Sequence, residues 1–117
     1  MKKTYVLKTS RKAPDTNPIT LTIKPTSRGQ LICVDRMVAT DYDNAATHVQ
    51  FGARVGSSDY MFASRIPTIK GELVNMAEKT YVPYDATLTV TVSGHVAGDL
   101  IAFWVYGYIL DNESQIT

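Results

Sequence analysis

The residue types that most often carry chemistry in proteins are few and widely spaced in this chain. Cys33 is the single cysteine, and the two histidines are His48 and His95. A nucleophilic cysteine needs a base beside it in an electropositive, partly open site, and a zinc site needs three or four ligands at short spacings. Because neither pattern is present, the sequence predicts a buried structural thiol at Cys33, no catalytic residue and no cofactor.

One short segment has the residue types of a calcium loop. Asp41-Tyr42-Asp43-Asn44 places three oxygen-bearing side chains within four residues. Carboxylate and amide oxygens are the ligands that calcium prefers, but the longer Asp-x-Asp-x-Asp-Gly pattern is missing. An ordinary Asx-rich turn is therefore the favoured interpretation, with Asp41, Asp43 and Asn44 as the candidate calcium ligands.

Other catalytic patterns give no candidate. The segment from Gly52 to Gly56 lacks both the lysine and the following helix of a phosphate-binding loop. No pair of carboxylates can be assigned to glycoside hydrolysis from the sequence. We therefore predict that the protein is not an enzyme.

Composition favours one soluble β domain. The chain has 117 residues, 44% of them hydrophobic and 20% charged, which fits a single domain with its own core. One cysteine excludes an intrachain disulfide. The longest apolar stretch, Leu100–Leu110, is too short to cross a membrane as a helix, and we predict no membrane partner.

Charge is balanced in total but not along the chain. Residues 1–28 carry seven basic residues and one acidic residue, whereas residues 29–117 carry five basic and ten acidic ones. This asymmetry indicates a basic arm on a mildly acidic body. The arm could be a solvated terminus, or it could dock on an acidic surface of a partner. Nucleic acid is a less favoured partner, because the basic residues are not densely clustered.

Alternating apolar and polar residues predict strands through most of the chain. Ile19–Ile23 and residues 49–55 alternate strictly, so one face of each should be buried. A run of residues that is apolar on both faces, 30–40, is typical of a central strand. The other predicted strands are a possible first strand at 4–9, a strand at 60–63 after a four-residue hairpin connection at 56–59, and a further β segment at 80–82. Residues 69–76 are ambiguous: 72–79 could form two helical turns, but no cap precedes them, so we predict a strand or irregular structure there.

The last third of the chain has the strongest β pattern. Residues 87–93 alternate apolar residues with hydroxyl residues, and the apolar run 100–110 follows after a short segment bounded by Gly94 and Gly98. Two strands joined by a short glycine-bounded loop predict an antiparallel hairpin. About eight strands and no convincing helix predict an all-β, single-domain antiparallel sandwich. We divide the chain into a basic N-terminal arm (1–18), the β-sandwich (19–110) and a polar tail (111–117).

The last predicted strand is apolar on both faces. Ile101, Phe103, Val105 and Ile109 form one face, and Leu100, Trp104, Tyr106, Tyr108 and Leu110 form the other. If the first face fills the core, something must cover the second, because large apolar patches are rare on monomers. Three covers remain open: a segment of the same chain, a second subunit, or a stacked sugar.

The order and spacing of the strand and turn motifs in residues 28–110 resemble those of small jelly-roll decoration, or cement, proteins of tailed-bacteriophage capsids. The motifs are Gly29–Leu31, Val49–Gly52, Ser58–Phe62, Tyr84–Val92 and Gly98–Tyr108. The most particular of them is Gly98-Asp99 followed by an aromatic strand that contains Gly107. Strand lengths alone do not separate a jelly roll from an immunoglobulin-like sandwich, and the resemblance favours the jelly roll.

The resemblance implies a non-catalytic virion protein, made in the host cytoplasm, that bridges major capsid subunits on the outer capsid. It implies a homo-oligomer, with a trimer favoured, and an extended N-terminal arm that grips neighbours. The candidate interface residues are Trp104, Tyr106, Tyr108, Leu110, Tyr5, Arg11 and Lys12. The alternative function is a carbohydrate-binding or receptor-binding module. Its candidate stacking platforms for sugars are Trp104, Tyr106, Tyr108 and the loop tyrosines Tyr42, Tyr81 and Tyr84.

Overall fold

Nine antiparallel strands and no helix make up the part of the chain that the computed structural model describes, residues 2–24, 31–82 and 86–110. The side chains of residues 2–5, 31, 32, 109 and 110 are outside this description. The strands are β1 (Lys2–Lys12), β2 (Ile19–Ile23), β3 (Leu31–Asp41), β4 (His48–Val55), β5 (Ser58–Arg65), β6 (Val74–Met76), β7 (Thr80–Val82), β8 (Thr87–Ser93) and β9 (Leu100–Leu110). No helix long and apolar enough to cross a membrane is found among these residues.

The strands form two sheets packed as a sandwich. The first sheet has the order β1-β9-β3-β6, with β7 also paired to β3, and the second has the order β2-β8-β4-β5. The pairs β1–β9, β2–β8, β3–β6/β7 and β4–β5 are nested, as in one long hairpin whose tip is the β4–β5 turn. Winding this hairpin over itself adds the pairs β3–β9 and β4–β8. This is the jelly-roll arrangement, so the predicted all-β sandwich is confirmed and its topology resolved.

The core lies between the two inner faces and follows the predicted alternation. Ile101, Phe103 and Val105 of β9 are fully buried, as are Leu88, Val90 and Val92 of β8 to within 1%. The rings of Phe51 and Phe103 meet across the two sheets with their centroids 6.4 Å apart. Burying such side chains is the main favourable term in folding. The ambiguous segment before residue 80 contains a strand, β6, whose Val74 and Met76 join this core.

The predicted β8–β9 hairpin is wrong, because the two strands belong to different sheets. The segment 94–99 crosses the end of the sandwich, with positive φ angles of 76° at Gly94 and 90° at Gly98. Backbone hydrogen bonds tie it to the residue after β1: Gly98 N donates to Ala13 O, and Ala13 N donates to Asp99 O, both at 2.8 Å. The glycine-bounded loop led us to expect that the chain turns back and pairs β9 with β8. Instead β9, which is apolar on both faces, lies between the long strands β1 and β3 of the other sheet.

The predicted N-terminal arm is also corrected over most of its length. Residues 2–12 form β1, which pairs with β9 continuously from Lys2↔Leu110 to Lys12↔Leu100. Leu7 of β1 packs against the core. The strand is longer than the predicted 4–9, because each of its backbone groups can pair with the equally long β9. The predicted polar tail at 111–117 lies outside the described residues.

The β4–β5 hairpin is tighter than the predicted four-residue connection. Val55 pairs with Ser58, so that only Gly56 and Ser57 form the turn, and Gly56 has a φ of 62°. The register shifts between Phe51 and Gly52. At this irregularity Gly52 lies directly under the backbone carbonyl of Tyr60, and a Cβ atom there would overlap the carbonyl oxygen.

We therefore expect Gly52→Ala to destabilise the protein by about 1–3 kcal/mol, as overpacking commonly does. The obstacle is backbone, so that it cannot be relieved by a change of rotamer. Urea unfolding followed by circular dichroism measures the effect. Ser57→Ala, in the exposed turn of the same hairpin, should stay within about 0.5 kcal/mol of wild type. Equal unfolding midpoints for the two variants would contradict the close approach at Gly52.

Candidate functional site

The outer face of the first sheet carries most of the aromatic residues predicted to form an interface. Cross-strand registers place Val6 beside Tyr106, Lys8 beside Trp104, and Cys33 beside both Tyr108 and Tyr81. We call this surface the aromatic face; its members with described side chains are Val6, Lys8, Cys33, Arg36, Val38, Tyr81, Leu100, Trp104, Tyr106 and Tyr108. Four apolar members are exposed: Val6 (62%), Tyr81 (54%), Leu100 (38%) and Tyr106 (37%).

Two lysines lie over aromatic rings of this face. The Lys8 Nζ atom is 5.2 Å from the Trp104 ring centroid, and the Lys79 Nζ atom is 5.8 Å from that of Tyr108. Such contacts are worth about 0.5–1 kcal/mol at exposed sites. Because Lys8 covers part of its ring, half-buried Trp104 is a poorer stacking platform for a sugar than the sequence suggests.

Tyr108 is held inside the aromatic face. The residue is only 8% exposed. Interactions with the Cys33 thiol and, next in size, with Tyr81 raise the pKa of Tyr108 well above its usual value. The register of β3 with β7 and β9 brings these three residues together. The ring therefore supports its neighbours and offers little surface to a partner.

The other predicted interface residues are distributed along the first sheet. Arg11 and Lys12 are exposed at the end of β1, in the same strand as Val6 and Lys8. Tyr106 lies at the exposed centre of the aromatic face. Tyr5 and Leu110 occupy paired positions of β1 and β9, but their side chains are outside the described part of the structure. Tyr84, a candidate for the alternative sugar-binding function, is also outside it.

A second surface feature lies on the outer face of the second sheet. A groove of about 270 Å³ is lined by Thr20, Gln50, Phe51, Gly52, Arg54, Asp59, Tyr60, Met61, Thr89 and Thr91. Arg54 and Asp59 form an ion pair at its edge with an N–O distance of 2.7 Å. The threonine hydroxyls come from the outward positions of β2 and β8, which the alternation of apolar residues with threonine predicted to face solvent. The sequence did not predict the groove, whose lining includes Phe51 and Gly52 at the register shift between β4 and β5.

The predicted calcium residues meet a fourth residue from a distant part of the chain. Carboxylate oxygens of Asp41, Asp43 and Asp99 lie within 4.8 Å of one another. Asn44 lies beside them, and its Nδ2 donates a 2.7 Å hydrogen bond to Asp99 Oδ1. Asp99 was missed as a candidate because it is the last residue of the β8–β9 crossing, far from Asp41 in sequence, and comes close to Asp41 only when β9 pairs with β3. We call Asp41, Asp43 and Asp99 the carboxylate cluster.

The cluster contains two buried carboxyl groups in contact. Asp41 is 6% exposed and Asp99 is 3% exposed. Burial, followed by the contact with Asp99, raises the pKa of Asp41 to about 6. Burial acts on Asp99 in the same direction, but its interactions with Asp41, the Val96 amide and Asn44 outweigh it and lower the pKa of Asp99.

Cys33 has the surroundings of a structural thiol. It is fully buried in β3, and its Sγ lies 4.0 Å from Asp35 Oδ1. His48 belongs to the second sheet, and buried His95 lies in the β8–β9 connection with its Nε2 2.9 Å from the Asp15 carbonyl oxygen. The sandwich therefore places the thiol and His48 in different sheets.

Neither a protein-family model nor a curated protein matches the chain. Among solved structures the chain is similar to dimeric latent PorU from Porphyromonas gingivalis, with 10% identity and a TM-score of 0.45, over 94% of this chain and 13% of that one. It is also similar to a structure of infectious bursal disease virus, Gt strain, with 16% identity and a TM-score of 0.33, over 92% of this chain and 32% of that one. The chain thus spans a small part of each. Both TM-scores are below 0.5, so neither likeness supports an inference about function.

We expect native protein to leave Cys33 unmodified by Ellman's reagent, because the thiol is fully buried. Unfolding in guanidinium chloride should then release one reactive thiol per chain, since Cys33 is the single cysteine. The absorbance of the thiolate that Ellman's reagent releases, measured without denaturant and in guanidinium chloride, gives the number of reactive thiols in each state. Rapid stoichiometric reaction of the native protein would contradict the packing of β3 beneath Tyr108.

Proposed function

We propose that this protein is a non-catalytic structural protein of a tailed-bacteriophage virion, which binds the outside of the capsid as a homo-oligomer and bridges major capsid subunits. The observation that carries the proposal is the aromatic face. Its apolar residues Val6, Tyr81, Leu100 and Tyr106 are exposed, and it extends across β1, β9, β3 and β7. The resemblance of residues 28–110 to decoration proteins supplies the class of partner.

The composition of the aromatic face favours a protein partner. Tyr, Trp and Arg are enriched at the centres of protein interfaces, and this face presents Tyr81, Trp104, Tyr106 and Arg36 within one sheet. Exposed Val6 continues the apolar surface to the edge strand. A second subunit covering this surface would remove it from water, which is the favourable term in most protein association.

The edge strand β1 supports the bridging role. It is the terminal strand of its sheet, and the outer edge of such a strand presents backbone groups that can pair with a strand of another chain. Its basic residues, among them exposed Lys8, Arg11 and Lys12, would steer it toward an acidic surface. The gripping role expected of a free arm is thereby assigned to a strand that is part of the sandwich.

The jelly roll suits a protein that must resist the separation of capsid subunits. The first and last strands of the sandwich, β1 and β9, are paired along eleven residue pairs. A pulling force on β1 is therefore transmitted to β9 inside the first sheet. An interface of standard size buries about 1,600 Å², and many copies act on one shell.

The oligomer is tested by light scattering after size-exclusion chromatography. Wild-type protein should have a mass of three times the 12.9 kDa of one chain. Val6→Glu combined with Tyr106→Ser should weaken association at least tenfold, because it places a charge and removes a ring on the aromatic face. Met61→Glu, at a residue 65% exposed in the other sheet, is the matched control and should leave the mass unchanged.

Two further measurements link the oligomer to the virion. Trp104 is the single tryptophan, so quenching of its fluorescence by acrylamide should fall as protein concentration rises. Mass spectrometry of purified particles from cells that carry the gene should detect the chain in many copies. A monomer at high concentration that is absent from particles would overturn the proposal.

A carbohydrate-binding module is the second candidate, and the groove on the second sheet favours it. Tyr60 is 56% exposed and stands beside Gln50, Arg54 and Asp59, which combines a stacking ring with hydrogen-bonding groups for sugar hydroxyls. The earlier platform residues Trp104 and Tyr108 are covered by lysine or by neighbouring side chains.

A glycan array distinguishes the two candidates. If the groove binds sugar, wild-type protein should give specific signals that Tyr60→Ala abolishes and Trp104→Ala retains. Of these two rings, Tyr60 lines the groove and Trp104 does not. A capsid-bridging protein with no sugar site should give no specific signal in any variant. Loss of signal with Trp104→Ala alone would locate the sugar on the aromatic face and contradict both assignments.

A further inference from the structure

We infer that the carboxylate cluster at the loop end of the sandwich is a binding site for a calcium ion, held by Asp41, Asp43 and Asp99. The three carboxylates have oxygens within 4.8 Å of one another. Oxygens that bind one calcium ion at 2.3–2.6 Å on opposite sides are about 4.8 Å apart. The site is independent of the proposed function, because it lies at the end of the sandwich and away from the exposed centre of the aromatic face.

A buried carboxylate oxygen that faces another carboxylate points to a bound cation. Asp41 Oδ1 accepts hydrogen bonds from the backbone amides of Asp43 at 3.0 Å and Asn44 at 3.2 Å. Asp41 Oδ2 is buried and accepts no hydrogen bond from an N–H or hydroxyl group of the described residues, and the Asp41 carboxyl group lies against the Asp99 carboxyl group. An unsatisfied buried polar atom destabilises the folded state, and more so when it is charged. A cation beside this oxygen would remove that cost.

The remaining groups hold the carboxylates in place and leave one side open. Val96 N donates to Asp99 Oδ2 at 3.0 Å, and Asn44 Nδ2 donates to Asp99 Oδ1. Leu100 N donates to Asp43 Oδ2 at 2.8 Å. Asp43 is exposed, so an ion can enter from solvent and water can complete its coordination. These second contacts orient the ligands as they do around established metal sites.

Local charge favours a divalent cation. Two buried carboxyl groups and a third beside them concentrate negative charge in a small volume. The ion pairs found among the described residues, Arg54–Asp59 and Lys79–Asp35, involve other carboxylates. An all-oxygen donor set selects hard cations such as calcium, magnesium or manganese. Calcium accepts variable geometry, whereas magnesium demands a near-ideal octahedron, so three carboxylates whose positions are fixed by other hydrogen bonds suit calcium better than magnesium.

Binding would connect segments that are far apart in sequence. Asp41 and Asp43 follow β3, whereas Asp99 precedes β9. One ion would therefore fix the β3–β4 connection to the β8–β9 crossing at the end of the sandwich.

The test uses the full chain freed of metal with a chelator, with calcium chloride as the probe. We expect a dissociation constant of about 10⁻⁴–10⁻³ M, which is the range of extracellular calcium-binding modules. The unfolding midpoint should rise by about 5 °C or more in 10 mM calcium, and less in 10 mM magnesium. Isothermal titration calorimetry should give one site per chain.

Asp43→Asn is the main variant, because Asp43 is exposed and an asparagine oxygen can still accept the Leu100 amide. It should fold and should lose calcium affinity at least tenfold. Asp59→Asn removes the same charge from the second sheet and should bind calcium as wild type does. No calcium-dependent change in midpoint or heat, or an equal loss in both variants, would overturn the inference.

Discussion

The pairing of β9 between β1 and β3 is the constraint on which the rest of the structure depends. Its eleven residues are matched by two strands of the same length, which satisfies the backbone on both sides. Its inward residues Ile101, Phe103 and Val105 meet the second sheet and close the core. Once β9 occupies this place, β8 must remain in the other sheet, and the nested pairing of a jelly roll follows.

The two outer faces of the sandwich differ because their strands differ in pattern. β2 and β8 alternate apolar residues with threonine or serine, and their sheet presents hydroxyls to solvent. β9 and β3 are apolar on both sides, and their sheet presents rings and aliphatic side chains. Lysine side chains cover two of these rings, which leaves Val6, Tyr81, Leu100 and Tyr106 as the surface that association would bury. A partner for the first sheet and solvent for the second are the environments that these patterns fit.

The winding that builds the core also concentrates carboxylates at one end. Asp41 ends β3 and Asp99 comes just before β9, so the pairing of these strands brings two acidic residues together at the same end of the sheet. The β8–β9 crossing is fixed there by hydrogen bonds to Ala13. Close packing at this end keeps the carboxyl groups from separating, and like charges held together in a buried place require a proton or a cation between them.

The sequence determines much of the strand content and the inward residues of β2, β4, β8 and most of β9. It does so because a half-buried strand has an apolar residue at every second position. The burial of Cys33 among apolar neighbours is of the same local kind. Partner choice is not local: whether β8 and β9 form a hairpin, whether residues 2–12 extend from the domain, and whether Asp99 meets Asp41 depend on which backbones pair after the chain is wound. Those outcomes were decided only by the tertiary structure, since pairing energy comes from contacts between segments up to about a hundred residues apart, such as Lys2 with Leu110, that no short sequence window contains.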